Sequence, residues 1–187
     1  MRLHVLCGLT ILTLLLFRLI WGFAGSDTAR FSYFLQQPLA AIHHLRHLAR
    51  REPDTETGHN AAGGWMVIAL LGLLFVQVGT GLCSNDDILT EGPLARIVGK
   101  EWSDWLSHIH RLNFTLIEAA VVLHVLAIIT YRVLKGHNLL LPMITGKKRL
   151  PGATRAPRMM HGVLAIGIYV FCVLAVVLFL WFVGYSP

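Results

Sequence analysis

WLSHIHRLNFTLIEAAVVLHVLAIITY, residues 105–131, is the stretch around which the chain is organised. It reads as a membrane helix with a histidine near each end, His110 and His124. Fourteen residues at about 100° each leave the two imidazoles within roughly 40° of each other around the axis and about 21 Å apart along it. Both therefore point to one side of the helix at two depths in a bilayer, the arrangement that two stacked metal centres need. His108 lies about 160° from His124 in angle and does not share that side.

Three further apolar runs surround this one. Together they fall at approximately 3–24, 62–83, 112–131 and 162–184 in a chain of 187 residues that is 55% hydrophobic. Each is near the ~20 residues that cross a bilayer. The expected spans are about 3–24, 61–83, 105–131 and 159–184, in a single transmembrane domain covering 1–187. The fold class is all-α, an integral membrane four-helix bundle. The first run does not look like a cleavable signal, because it is long, contains Arg18 and lacks a small-residue cleavage pattern before a soluble domain.

The net charge of +6 serves as a topology marker and gives no pointer to nucleic acid. Connection 25–60 carries Arg30, Arg46, Arg50 and Arg51, and connection 132–158 carries Arg132, Lys135, Lys147, Lys148, Arg149, Arg155 and Arg158. Connection 84–105 has only Arg96 and Lys100 against Asp86, Asp87, Glu91, Glu101 and Asp104. The first and third connections are therefore expected in the cytoplasm, with both termini and the acidic loop on the periplasmic side. Within the first, PLAAIHHLRHLARR (38–51) spaces apolar residues helically among bases and reads as an interfacial helix on the anionic inner leaflet. Cys7, Cys83 and Cys172 form neither a CxxC pair nor a CxxCH haem-attachment signal. Cys7 and Cys172 read as small core residues.

Sorting the histidines by depth gives a wiring scheme. His4, at the start of the first run, stands with His110 at the outer level; His124, His161 and His59 stand at the inner level. His4 with His110, and His124 with His161, would hold two non-covalent six-coordinate b-type haems, since imidazole is an ordinary axial ligand of haem iron. His59 is the alternative to His161. Any one of these histidines alone is better explained by its position at a helix end; His124 is the exception, since it sits inside an apolar run and needs a partner. Arg18 is fourteen residues from His4 and shares its face, as a propionate partner or as a cation snorkelling to the head groups. Gln77 reads as a helix–helix hydrogen bond, and Glu118 as a proton or quinone residue or a protonated acid bonded to a neighbouring helix.

The runs HVLCGLTILTLLLFRLIWGFAGSDTARFSYF, GHNAAGGWMVIALLGLLFVQVGTGL and LHVLAIITYRVLKGHNLLLPMITGKK resemble bacterial cytochrome b561, a family related to the b-type cytochrome subunits of nickel–iron hydrogenases and formate dehydrogenases. The resemblance covers roughly residues 3–149. It implies a four-helix di-haem protein of the bacterial inner membrane that exchanges electrons with the quinone pool, and it carries over His4, His110 and His124 as ligands. Family members usually open with a further helix whose early histidine ligates the inner haem. Here a helix after residue 158 has the matching direction and carries His161, so a permuted bundle is expected.

The expected function is electron transfer between quinone and a redox partner such as a c-type cytochrome or a dehydrogenase subunit, with quinone as a further bound cofactor. The chain then acts as a quinone oxidoreductase or as a subunit of one. The alternatives are a membrane anchor subunit for a periplasmic dehydrogenase, hydrogenase or c-type cytochrome complex, and a cofactor-free transporter or signalling protein.

Overall fold

The computed structural model describes residues 1–35, 37–46, 57–88, 90–148 and 156–185. In chain order the helices are α1 (Arg2–Ala24), α2 (Phe31–Phe34), α3 (Pro38–Arg46), α4 (Ala61–Cys83), α5 (Ala95–Val98), α6 (Lys100–Thr130), α7 (Leu140–Thr145) and α8 (Gly162–Phe182). A 3-10 turn at Asp27–Ala29 follows α1, and α6 continues as a π-helical turn over Tyr131–Lys135. Among the described residues the only extended pairing is an isolated bridge between Asn85 and Glu91.

Four helices, α1, α4, α6 with its π turn, and α8, are long and apolar enough to cross a membrane. Their outward apolar side chains, among them Leu14, Val122, Ile129, Val163 and Phe171, are exposed. In a bilayer lipid covers such surface, and each helix satisfies its own backbone. Helix α6 begins at Lys100, ahead of the apolar run, because Gly99 (φ 83°) ends α5 and the polar KEWSD segment is a good first turn once the loop holds it. Residues 47–51 of the expected interfacial helix lie outside the described residues. Cys7 is exposed, not a core residue, whereas Cys172 is buried.

The chain forms two compact units. The first comprises Met1–Trp21, Leu70–Glu118 and His161–Pro187. In it Phe17 of α1 meets Tyr169 of α8 edge-on at 6.2 Å, and Leu9, Leu15, Val78, Cys172 and Val176 are buried. Loop 84–99 folds back on the end of α4: Leu94 N–H donates to Leu82 O at 2.8 Å and Gly92 N–H to Ser84 O at 2.8 Å. A side chain at Gly92 would overlap the Leu82 carbonyl, so only glycine lets the loop lie this close.

The second unit comprises Gly22–Ala69 and Ala119–Met160. Its aromatic centre is Phe34, 1% exposed, with Phe31 at 5.9 Å and Phe23 against Phe31 at 5.4 Å. Gly64 of α4 backs onto the Phe34 carbonyl. The segment before α8 is tied to the turn after α1 by Arg158 N–H to Asp27 Oδ2 at 2.8 Å and Met160 N–H to Ser26 Oγ at 3.0 Å. Lys135 is buried, with its ammonium 5.8 Å from the Tyr131 ring centre.

Candidate metal centre

Ser103, Ser107, His110 and Asn113 recur at helical spacing on α6 and turn to α4 and the loop that follows it. Ser103 Oγ–H donates to Cys83 O at 2.7 Å, and Ser107 Oγ accepts the Asn85 N–H at 3.0 Å. Asn85 in turn donates through Nδ2 to Ser103 Oγ at 2.6 Å and Asp104 Oδ1 at 2.9 Å. Small polar residues bring two membrane helices close, and leave room between them for a larger side chain to bond across. His110 is that side chain. Gly81 of α4 faces it so closely that an added Cβ would stand 3.0 Å from Cε1.

The hydrogen bonds around His110 fix its tautomer. Leu73 O accepts from Asn113 Nδ2 at 2.9 Å, which orients the Asn113 amide. The same Nδ2 donates to Gln77 Oε1 at 2.7 Å, which turns the Gln77 NH2 toward His110. His110 Nδ1 stands 2.9 Å from Gln77 O, and a carbonyl only accepts, so Nδ1 carries the hydrogen. Gln77 Nε2, 3.1 Å from His110 Nε2, then donates to the ring lone pair. Thr80 Oγ1 lies 3.2 Å from Nδ1 and donates its own hydrogen to Val76 O at 2.7 Å. His110 is therefore a neutral imidazole whose Nε2 lone pair is available to a metal, with Nδ1–H bonded to a carbonyl as metal-ligating histidines have it. Ligation through Nε2 exchanges the Gln77 amide hydrogen bond for a metal bond.

His4, exposed on the first turn of α1, meets this ring. The two ring centroids are 6.0 Å apart and the planes stand at 83°. An imidazole nitrogen bonds a transition metal at about 2.0–2.1 Å, so two rings sharing one iron hold their centroids about 6 Å apart. The spacing fits a shared metal. Gly8, one turn along α1 from His4, has no atom within 4 Å of where its Cβ would be, so it faces open space and not a neighbouring helix. Among the described residues no three His, Cys, Asp or Glu side chains cluster; haem iron needs only two imidazoles from the protein.

The other expected site residues are placed as follows. His124 is half-buried on α6, in the second unit. His59 is exposed in the second unit, with its ring edge-on to Phe34 at 5.2 Å. His161 is exposed and occupies the N-cap of α8, in the first unit, with extended backbone and no side-chain cap bond. Arg18 is half-buried on α1 in the first unit, and Glu118 is exposed on α6. Gln77 makes the interhelical hydrogen bonds expected of it. Asn113, Thr80, Ser103 and Ser107 do not stand out in the sequence. The available signal was spacing, since Ser107 and Asn113 flank His110 by three residues on each side.

A family model described as prokaryotic cytochrome b561 matches residues 1–146. No curated protein and no solved structure matches the chain.

Proposed function

The chain belongs to the prokaryotic cytochrome b561 family, a family of membrane b-type cytochromes that transfer electrons, and from that premise we propose a di-haem protein linking the quinone pool to a redox partner. The observation that carries the reading is the His4–His110 pair, 6.0 Å between ring centres, with one hydrogen of His110 fixed on Nδ1 by Gln77 O. Haem b, when bound, supplies the one-electron chemistry. The chain's own residues hold and tune it. His4 and His110 would hold the outer haem iron through their imidazoles. The Gln77 carbonyl orients the His110 ring and raises the basicity of Nε2, and Asn113 and Thr80 keep the Gln77 segment in place.

For the inner haem we propose His124 with His161. The support is the sequence reading of depth and helix direction: His124 lies on the His110 side of α6, and His161 starts α8 at the inner level. Helix α8 and His161 lie beyond the matched residues 1–146. Arg18 is proposed as a propionate partner. The location is the bacterial inner membrane with both termini periplasmic, supported by the basic residues of connections 25–60 and 132–158. The partner is a periplasmic or membrane redox protein, a c-type cytochrome or a dehydrogenase subunit.

The test is haem content per chain, with a reduced-minus-oxidised spectrum and a quinol as the only reductant. Two haems per chain, both reduced by quinol, is the expected result. Two haems that quinol leaves oxidised would move the chain to the role of an anchor that takes electrons only from its partner. A purified chain with no haem would overturn the reading.

A further inference from the structure

The second unit contains a site that the electron-transfer reading does not use. A groove of about 110 Å³ lies between the end of α6 and the start of α7, lined by Ile128, Ile129, Arg132, Asn138, Leu139 and Leu140. Its walls are almost wholly apolar; Arg132 and Asn138 border it but present next to no polar surface to its interior. Arg132 is exposed and has no acidic partner among the described residues. Asn138 spends its Oδ1 on the Leu141 N–H at 3.2 Å, which leaves Nδ2 to donate.

The surroundings place this groove at the boundary between lipid and water. Ile128 and Ile129 belong to the last apolar turn of the span, and the π turn after it carries the exposed Arg132 and the buried Lys135. Helix α7 then exposes Leu141, Met143 and Ile144, the last at 82%, and ends at Gly146 (φ 66°) before Lys147 and Lys148. A short apolar helix bracketed by bases lies in a membrane surface, with its apolar side chains among acyl chains and its bases among head groups. An occupant therefore lays hydrocarbon on four aliphatic side chains, with the exposed guanidinium of Arg132 and the amide of Asn138 beside the groove for an anionic head.

We propose that this groove binds one anionic phospholipid, its phosphate on Arg132 and Asn138 Nδ2 and an acyl chain along Ile128, Ile129, Leu139 and Leu140. A guanidinium pairs phosphate through two parallel donors, which an electroneutral ligand does not match. The consequence is a lipid that pins α7 to the end of α6.

The test uses the full-length protein, delipidated in mild detergent, with bound lipid counted by native mass spectrometry. Phosphatidylglycerol is expected to bind one per chain and to outcompete phosphatidylcholine about fivefold or more, the factor that one basic contact near an anionic surface gives. Arg132→Gln should abolish that preference, and Arg132→Lys should keep most of it. Leu139→Gln should weaken both lipids alike. Equal binding of the two lipids, or an Arg132→Gln variant that still prefers phosphatidylglycerol, would overturn the proposal. So would displacement of the lipid by inorganic phosphate alone or by a short-chain benzoquinone at equal concentration, the first showing a simple anion site and the second a quinone site. Haem content is read on the same samples, so a failure here is distinguishable from a failure of the haem assignment.

Discussion

Gly81 offers a direct test of how tightly His110 is held. Replacing it with alanine puts a methyl 3.0 Å from His110 Cε1 and 3.3 Å from Nδ1, inside the 3.4 Å where ordinary contact begins. The ring must then withdraw by a few tenths of an ångström. It is tied to Gln77 O at 2.9 Å and to Gln77 Nε2 at 3.1 Å, both on the same helix as the new methyl, so withdrawal lengthens those bonds. Overpacking of this kind costs about 1–3 kcal/mol. Spent on the ligand's position, it weakens haem binding at the outer site by about 5- to 150-fold at 1.4 kcal/mol per decade. Alanine also stabilises a helix by about 1 kcal/mol over glycine, so the unfolding temperature should move little. Gly79→Ala is the control. A Cβ there meets nothing within 4 Å and points about 200° away from Gly81, so this variant gains helix stability with no push on the ring. The assay is titration of haem into protein from haem-deficient cells, followed by Soret absorbance alongside thermal unfolding. Gly81→Ala should lose affinity for one of two haems, and Gly79→Ala for neither. Wild-type binding by Gly81→Ala, or equal loss in both variants, would refute the reasoning.

Other substitutions read other parts of the structure. Asn113→Leu removes the donor to Gln77 Oε1 and the second donor to Leu73 O, which keeps its helical bond; a loss of about 1–3 kcal/mol is expected as a lower unfolding temperature, together with a shifted potential of one haem only. Gly92→Ala forces loop 84–99 off the Leu82 carbonyl, so limited proteolysis should cut within 84–99 in the variant and not in the wild type, while the haem spectrum keeps its bands. His161→Ala should remove the inner haem and His59→Ala should not; the reverse result would assign the inner ligand to His59.

The four spans are legible because each holds about 20 apolar residues, a signal that does not depend on what packs beside it. The meeting of His4 with His110 follows from depth and from helical angle, which a sequence also carries. The polar first turn of α6 is not legible from hydropathy, because Lys100–Asp104 is charged and is held by loop contacts: Lys100 pairs with Asp87 and with Asp104, and Asn85 bonds Ser103. Helix α7 is equally silent, since Pro142 and the flanking Gly136 and Gly146 read as a turn-rich connection. Gln77 could be read as an interhelical amide, but its partners could not be named. Asn113 and Thr80 gain their roles only from the α4 carbonyls they face, and that information lies in the packing of two helices.

The most direct measurement of the central claim is haem stoichiometry with electron paramagnetic resonance on His4→Ala and His110→Ala beside the wild type. Each variant is predicted to drop from two low-spin haems per chain to one, with the same signal missing from both. Two low-spin haems surviving in either variant, or different signals lost in the two, would contradict a shared outer iron between His4 and His110.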